Sequence, residues 1–188
     1  MLKIRVILLA FLYIPHYILW MLSPQRYVIW GDIHAFENKN ILPLKRYWLF
    51  FWLIERDVYF RKLFYYRLGC ISKLCSWYSQ GSKILELHGS ISEGAIFMHA
   101  YSTIINAKKV GSNFTCRQCT TVGNKIDGRN DLIPIIGDNV TLGANVVIIG
   151  DIKIGNNVIV GAGSVVVNNV PDNCVVAGNP SKIIKIIK

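Results

Sequence analysis

The stretch from Ile136 to Val166 reads IGDNVTLGANVVIIGDIKIGNNVIVGAGSVV, and it repeats with a period of six residues. Counting in sixes from its first residue reaches only apolar side chains: Ile136, Leu142, Ile148, Ile154, Val160 and Val166. An earlier run with the same period consists of Met98, Ile104, Val110, Cys116 and Val122. An apolar residue at every sixth position is therefore the dominant pattern in the second half of the chain.

A six-residue period matches neither an α-helix nor a simple strand alternation of this length. It fits a short strand followed by a sharp corner, so three units would close one triangular coil. Coils of this kind stack about 4.8 Å apart, as neighbouring strands do. The apolar column would point into the prism, and the glycine that often follows it would relieve crowding or supply an unusual backbone angle. We predict about four coils.

The period breaks once, between Val122 and Ile136. The intervening stretch 124–134 is polar and rich in turn-forming residues, so we predict that it leaves the prism as a loop. Long loops on a rigid scaffold usually carry function. The prism would therefore present one candidate functional loop.

The first 80 residues have a different composition and include all five tryptophans. We divide the chain into a helical, aromatic and basic segment (1–80) and a repeat domain (81–188). Residues 1–22 form an apolar helix that lies on a membrane or on its own domain, spans the membrane, or serves as a signal peptide. Residues 44–78 mix aromatic and basic side chains, which suits a membrane interface or a helical pair packed on the β-domain.

The 188-residue chain has a formal net charge of +10, which favours an anionic partner. No nucleic-acid-binding motif accompanies this charge, so we expect no nucleic-acid partner. Five cysteines in a long, apolar chain are typical of a reducing cytoplasm. Cys116 and Cys119 form a lone pair, so we expect no metal site. We predict a cytoplasmic protein, peripheral to or anchored in the cytoplasmic membrane if residues 1–22 bind lipid.

The last hundred residues resemble the hexapeptide-repeat acyltransferase superfamily. The stretch 170–182, VPDNCVVAGNPSK, is similar to that family's closing signature. The stretches 94–100 (GAIFMHA) and 118–123 (QCTTVG) resemble its serine acetyltransferase branch, over roughly residues 86–184. The resemblance implies an all-β fold, a left-handed parallel β-helix with a short α-helical N-terminal segment. It also implies a homotrimer with active sites between neighbouring subunits and direct acetyl transfer from acetyl-coenzyme A.

The resemblance places His99 on the family's catalytic histidine and Glu86 on the acidic residue that orients it. The chemistry suits this pair, because a hydroxyl acceptor must lose its proton as it attacks a thioester, and an imidazole is matched to that task. A carboxylate on the other ring nitrogen fixes the tautomer and stabilises the imidazolium. His99 is thus the predicted general base.

The same resemblance predicts the acetyl-coenzyme A groove. Ala144 and Ala162 are 18 residues apart and should stack, leaving room for the pantetheine arm. Val167 and Asn168 match lining positions of the groove in sugar-acetylating relatives. The last two groove residues, Lys182 and Lys185, would face the nucleotide phosphates as point charges.

Two departures from the serine-specific pattern concern the acceptor. Met98 stands where those enzymes have an aspartate, and Leu132 and Ile133 stand where they have an Arg-His pair before the proline. We therefore expect the acceptor hydroxyl to belong to a glycan or glycan precursor in polysaccharide biosynthesis. Serine O-acetylation in cysteine biosynthesis and an inactive β-helix scaffold stay open as alternatives. Arg117, 18 residues after His99, should lie one coil above it and face either the acceptor or solvent.

Overall fold

The computed structural model describes residues 2–39, 44, 47–75, 85–126, 128–129 and 131–187. Two compact units divide the chain, Met1–Ser82 and Lys83–Lys188. The domain boundary predicted at residues 80 and 81, the end of the 44–78 segment and loop positions 127 and 130 lie outside the described residues.

The first unit is helical. Its elements are α1 (Leu2–Leu22), α2 (Arg26–Asn38), α3 (Tyr47–Arg56), α4 (Val58–Leu68) and a short 3-10 helix (Gly69–Leu74). Asp57 caps α4, because its carboxylate accepts hydrogen bonds from the backbone N–H groups of Tyr59 and Phe60 at 2.9 Å. The prediction of helices in the 44–78 segment agrees with α3 and α4.

Aromatic side chains form the core of the helical unit. Trp20, Phe50 and Phe64 are fully buried, and the Trp20 and Phe50 rings lie 4.8 Å apart. The buried His16 imidazole contacts the Tyr65 hydroxyl at 2.7 Å, so α1 packs on its own unit through this face. None of the described helices is long and apolar enough to cross a bilayer.

The second unit is built of short strands. They are β1 (Leu85–Ile91), β2 (Ile96–Met98), β3 (Thr103–Val110), β4 (Thr115–Arg117), β5 (Thr121–Gly123), β6 (Ile135–Ile136), β7 (Thr141–Leu142), β8 (Val147–Ile149), β9 (Lys153–Ile154), β10 (Ile159–Val160), β11 (Val165–Val166), β12 (Cys174–Ala177) and β13 (Lys182–Ile186). All ladders among them are parallel except the one between β12 and β13, which is antiparallel.

The strands make three faces of a prism. The first face stacks β2, β4, β7, β10 and β12, and β13 closes its end. The second stacks the start of β3 with β5, β8 and β11, and the third stacks the end of β3 with β6 and β9. β3 turns a corner, since Ile104 pairs with β5 whereas Lys109 pairs with β6. The predicted parallel β-helix is confirmed, with about five turns instead of four.

The inward column agrees with the sequence period from Val110 onward but not before it. Met98 and Ile104 were predicted to point inward, and this is wrong: Met98 is half-buried and Ile104 is 40% exposed. Phe97 and Ile105 are the buried residues, and they pair in register with the inward column of the next coil. Seven residues separate these two, against five between their register partners Cys116 and Val122, so the first coil is longer at this corner.

Three edges join the faces, and the edge between the third and first faces is held by an asparagine ladder. The Asn113 side-chain amide donates to Asn139 at 3.0 Å, Asn139 to Asn157 at 2.9 Å, and Asn157 to Asn173 at 2.8 Å. All four have φ between 55° and 57°, in the left-handed region that asparagine tolerates better than most residues. We call this the asparagine edge.

Glycines at the same edge allow close approach between coils. A Cβ at Gly137 would lie 2.7 Å from the Gly155 carbonyl oxygen, and one at Gly155 would lie 2.6 Å from the Asp172 backbone nitrogen. Neither glycine has a positive φ. Of the two explanations that the sequence left open at these positions, crowding applies and an unusual backbone angle does not.

Candidate active site

His99 lies on a bulge at the edge between the first and second faces, which we call the His99 edge. Five residues separate Met98 from Ile104, whereas three separate their register partners Arg117 and Thr121 in the coil above. The first coil therefore has two extra residues at this corner. This insertion is the reason that the six-residue count fails here, and it makes His99 project from the prism.

The backbone of the bulge is tightly turned. His99 has φ 51° and Ser102 has φ 49°, and the Tyr101 N–H donates to the His99 carbonyl oxygen at 2.7 Å. A non-glycine residue in the left-handed region costs about 1–3 kcal/mol, and such residues cluster at functional sites. The imidazole of His99 is exposed at the tip of this turn.

Glu86 lies on β1, in the coil below the bulge. Its neighbours Leu85 and Leu87 are buried, so Glu86 points outward, as does its register partner Ile104. Among the described residues of this single chain, no hydrogen bond or ion pair joins Glu86 to His99. Their pairing stays a prediction.

Three of the predicted groove residues lie above His99 on the same edge. The Gly163 N–H donates to the Ala144 carbonyl oxygen at 2.8 Å, so the segments that hold Ala144 and Ala162 stack as expected from their spacing. Lys182 pairs with Ala177 at the end of β12, where the first face reaches the edge. Ala144, Ala162 and Lys182 therefore lie on or next to the edge that carries His99.

The other three groove residues lie elsewhere. Val167 and Asn168 follow β11 and lie on the edge between the second and third faces. Lys185 pairs with Val175, further from the His99 edge than Lys182. All three are exposed. The antiparallel strand β13, which fixes both lysines, was not predicted from the sequence.

The predicted loop 124–134 connects β5 to β6 on the same edge as Val167. The Pro134 carbonyl anchors its end by accepting from the Lys108 N–H at 2.9 Å. Ile133 is only 7% exposed, so this position is part of the core. Asp131 accepts two hydrogen bonds from the Arg129 guanidinium at 2.9 and 2.8 Å, and this pairing lowers the pKa of Asp131 to about 2.

The cysteines are structural or exposed thiols. All five are free, and Cys116 lies in the inward column as predicted. Burial raises the pKa of the Cys116 thiol to about 12, which disfavours the thiolate that metals bind. In the part of the chain that the structure describes, no cluster of three or more histidine, cysteine or carboxylate side chains could hold a metal ion.

Arg117 was expected one coil above His99, and this is wrong. The register places Arg117 opposite Met98, one position earlier. The sequence could not reveal this shift, because Ile104 and Ile105 are both apolar and either could continue the inward column. Only the pairing of the strands shows where the two extra residues lie.

Known proteins share the repeats. Residues 133–168 match the family "Bacterial transferase hexapeptide (six repeats)". The candidate colanic acid biosynthesis acetyltransferase WcaB of Escherichia coli (strain K12) is 50% identical over 91 residues, which are 48% of this chain and 55% of that protein. The serine acetyltransferase of Staphylococcus xylosus is 32% identical over 136 residues, 71% of this chain and 61% of that protein. The chain thus spans about three fifths or less of these relatives.

Solved structures share the fold. Serine acetyltransferase from Neisseria gonorrhoeae has a TM-score of 0.70 at 25% identity, over 87% of this chain and 67% of that one. The enzyme from Brucella abortus strain S19 has a TM-score of 0.72 at 23% identity, over 90% and 73%. The predicted fold class, a left-handed parallel β-helix with N-terminal helices, is confirmed. The β-helical unit of this chain therefore carries the repeats of the hexapeptide-repeat acyltransferase superfamily and is similar to its serine acetyltransferase branch and to WcaB.

Proposed function

We propose that this chain is an acetyl-coenzyme A-dependent O-acetyltransferase that acetylates a hydroxyl of a glycan or glycan precursor. The observation that carries the proposal is the His99 edge. An exposed imidazole projects on a two-residue bulge, and Ala144, Ala162 and Lys182 stack above it. An acetyl donor laid along this edge would bring its thioester toward the imidazole.

In the proposed reaction, His99 takes the proton of the acceptor hydroxyl as its oxygen attacks the thioester carbonyl. The carbon–sulfur bond then breaks, and the departing thiolate receives the proton from the imidazolium. The carboxylate of Glu86 stabilises the imidazolium while it carries the proton. No metal takes part in these steps.

The donor groove follows from the same edge. Ala144 and Ala162 are small enough to let the pantetheine arm approach the backbone. Lys182 and Lys185 face the phosphates of the nucleotide as point charges, and Val167 and Asn168 line the groove from the neighbouring edge. The net charge of +10 favours such a polyanionic donor.

A sugar acceptor is favoured over serine by two observations. The identity with WcaB is 50% over 91 residues, against 32–40% over 103–136 residues with serine acetyltransferases. The positions at which serine-specific relatives have polar groups hold Met98 and the buried Ile133, and neither can bind an amino acid's charges. Sugar acetylation places the protein in polysaccharide biosynthesis.

Serine acetylation stays the second candidate, because the serine acetyltransferase structures match 87–90% of the chain. This coverage extends into the helical unit. The third candidate is an inactive scaffold, since no His-Glu hydrogen bond joins the predicted dyad among the described residues.

The proposal includes a homotrimer with the active site between neighbouring subunits. Exposed aliphatic side chains stand on the outer surface of the β-unit, including Ile104, Ile135 and Ile159. Apolar groups on flat sheet faces favour packing against a second copy of the chain. A neighbouring subunit would also shield the exposed His99 from water.

The proposal also includes contact with the cytoplasmic face of the inner membrane. The side of α1 away from the core exposes Phe11, Ile14, Ile18 and Leu22, which recur at helical spacing. A basic chain with an apolar helical stripe favours binding to anionic lipid. Co-sedimentation with phosphatidylglycerol vesicles tests this contact, and a chain that stays in the supernatant would contradict it.

An acceptor screen tests the proposed function. Release of the coenzyme A thiol would be followed with serine, nucleotide sugars, lipid-linked sugars and neutral oligosaccharides as acceptors. We expect turnover with at least one sugar and little with serine. Turnover with serine alone would support serine O-acetylation. The absence of turnover with every acceptor would support an inactive scaffold.

A further inference from the structure

Arg117 is an exposed cation on the outer surface of the first face. Its neighbour Cys116 is fully buried, so Arg117 points away from the prism. In the described part of the chain, its guanidinium has no hydrogen bond and no ion pair. The guanidinium carries five N–H donors and a permanent positive charge, and these donors are available to a ligand.

The register places this cation beside the predicted general base. Arg117 lies opposite Met98, the residue immediately before His99. Neighbouring strands are about 4.8 Å apart, and the arginine side chain is longer than this spacing. The guanidinium can therefore reach the space in front of the bulge, where an acceptor hydroxyl must lie to give its proton to His99.

The outer surface near the bulge also carries an aromatic ring and an aliphatic side chain, beside the exposed carboxylate of Glu86. Tyr101, within the bulge, is 49% exposed, and Ile104 follows it. Such a surface offers an aromatic ring and an aliphatic side chain to the carbon face of a sugar. Met98 supplies no anion for an ammonium group. The proposed reaction assigns the Glu86 carboxylate to the His99 imidazolium, so the one cation and the apolar groups that are left for the acceptor fit an acidic sugar better than a zwitterionic amino acid.

We propose that Arg117 binds an anionic group of the acceptor, a carboxylate or phosphate attached to the sugar. This inference rests on the proposed function and narrows its substrate class to acidic glycans and glycosyl phosphates. Arginine binds both groups through two parallel hydrogen bonds, which fixes the orientation of the sugar as well as its position. The acetylated hydroxyl would thereby be held against His99.

The test compares three acceptors that share one sugar ring: a neutral glycoside, the corresponding uronic acid and the glycosyl phosphate. Each is assayed with the full-length chain and with Arg117→Gln, Arg117→Lys and Lys109→Gln. Lys109 is the matched control, because it is an exposed cation on the third face, and its loss changes the net charge equally.

We expect Arg117→Gln to raise KM for the preferred anionic acceptor about 10- to 100-fold, the usual worth of a charged hydrogen-bonded pair. KM for acetyl-coenzyme A and the rate with the neutral glycoside should stay within about twofold. The KM of Arg117→Lys for the anionic acceptor should lie between those of the parent chain and Arg117→Gln, because lysine keeps the charge but loses the paired hydrogen bonds. Lys109→Gln should behave as the parent chain. Comparison of the uronic acid with the glycosyl phosphate identifies which anionic group Arg117 binds.

If Arg117→Gln raised KM equally for the neutral and anionic acceptors, or for neither, the proposed role of Arg117 would be wrong. A binding titration with glucose 1-phosphate separates this result from failure of the proposed function. If no sugar is acetylated but the titration depends on Arg117, the anion site stands and the proposed reaction is wrong. If sugars are acetylated and the Arg117→Gln chain binds glucose 1-phosphate unchanged, the reaction stands and the anion site is wrong.

Discussion

At the residue scale, His99 combines an exposed imidazole with a backbone that most side chains avoid. The left-handed φ of 51° arises from the two extra residues of the bulge. Side-chain packing does not offset the cost of this backbone conformation, because the His99 side chain is exposed. The same left-handed φ recurs at structural corners such as Asn157, so the insertion and the exposure of His99, and not its φ, support a functional role.

We predict that His99→Ala lowers kcat about 100- to 10,000-fold, the usual contribution of general acid–base catalysis. Calorimetry should show unchanged coenzyme A affinity, because His99 acts on the acceptor. Glu86→Gln should lower kcat less than His99→Ala does. The double variant should have the kcat of His99→Ala alone, since the effects of two groups that act as a unit are not additive. His88→Ala is the control on the same strand as Glu86. Near-normal turnover of His99→Ala would contradict the assignment.

His16 gives the helical unit a pH-dependent stability. Burial, followed by the nearby Arg61 charge, lowers the pKa of His16 from 6.5 to about 4. Between these values the unfolded chain binds the proton and the folded chain does not. Protonation therefore favours unfolding, and the contribution of His16 is complete above about pH 6.5 and is lost as the pH falls toward 4.

We expect the melting temperature of the helical unit to fall between pH 7 and pH 4, followed by its circular dichroism. A His16→Gln variant keeps a polar group near Tyr65 but cannot titrate. Its melting temperature should depend less on pH over this interval. Identical pH profiles for the two chains would show that His16 is not the titrating group.

At the element scale, the asparagine edge contributes two separable terms to the stability of the coils. Asn157 accepts from Asn139 and donates to Asn173, at 2.9 and 2.8 Å. It also holds a φ of 55°. The hydrogen bonds and the left-handed backbone can be tested by different substitutions of the same residue.

We predict that Asn157→Gly loses the ladder bonds without backbone strain, at a cost of about 1–2 kcal/mol in the free energy of unfolding. Asn157→Ala should lower the free energy of unfolding by about 1–2 kcal/mol more, because the left-handed conformation strains the alanine backbone. Chemical denaturation of the two variants measures both terms. An alanine variant as stable as the glycine variant would show that the backbone term is absent.

At the scale of the whole molecule, we predict a homotrimer that is required for turnover. Mass photometry should show a trimer for the parent chain. Ile159→Glu, on the first face, should favour the monomer and lose activity, because a carboxylate would be buried between subunits. Gln25→Glu, an exposed change in the helical unit that adds the same single negative charge, is the control. A stable monomer that still turns over would exclude the shared active site.

The sequence determined the β-helix because its period is carried by many residues at once. From Val110 onward, the apolar column is buried as the six-residue count predicts, and no single position decides the outcome. The helices of the first unit followed from composition in the same way. Ala144 and Ala162 stack because no residue is inserted between their coils.

Only the tertiary structure decided where the first coil departs from the period. Two apolar neighbours, Ile104 and Ile105, could each point inward, and a local pattern cannot choose between them. The hydrogen-bonded register with the coil above selects Ile105, which forces two extra residues into the corner that carries His99. Register is a property of paired strands, so Arg117 came to stand beside Met98 and not above His99.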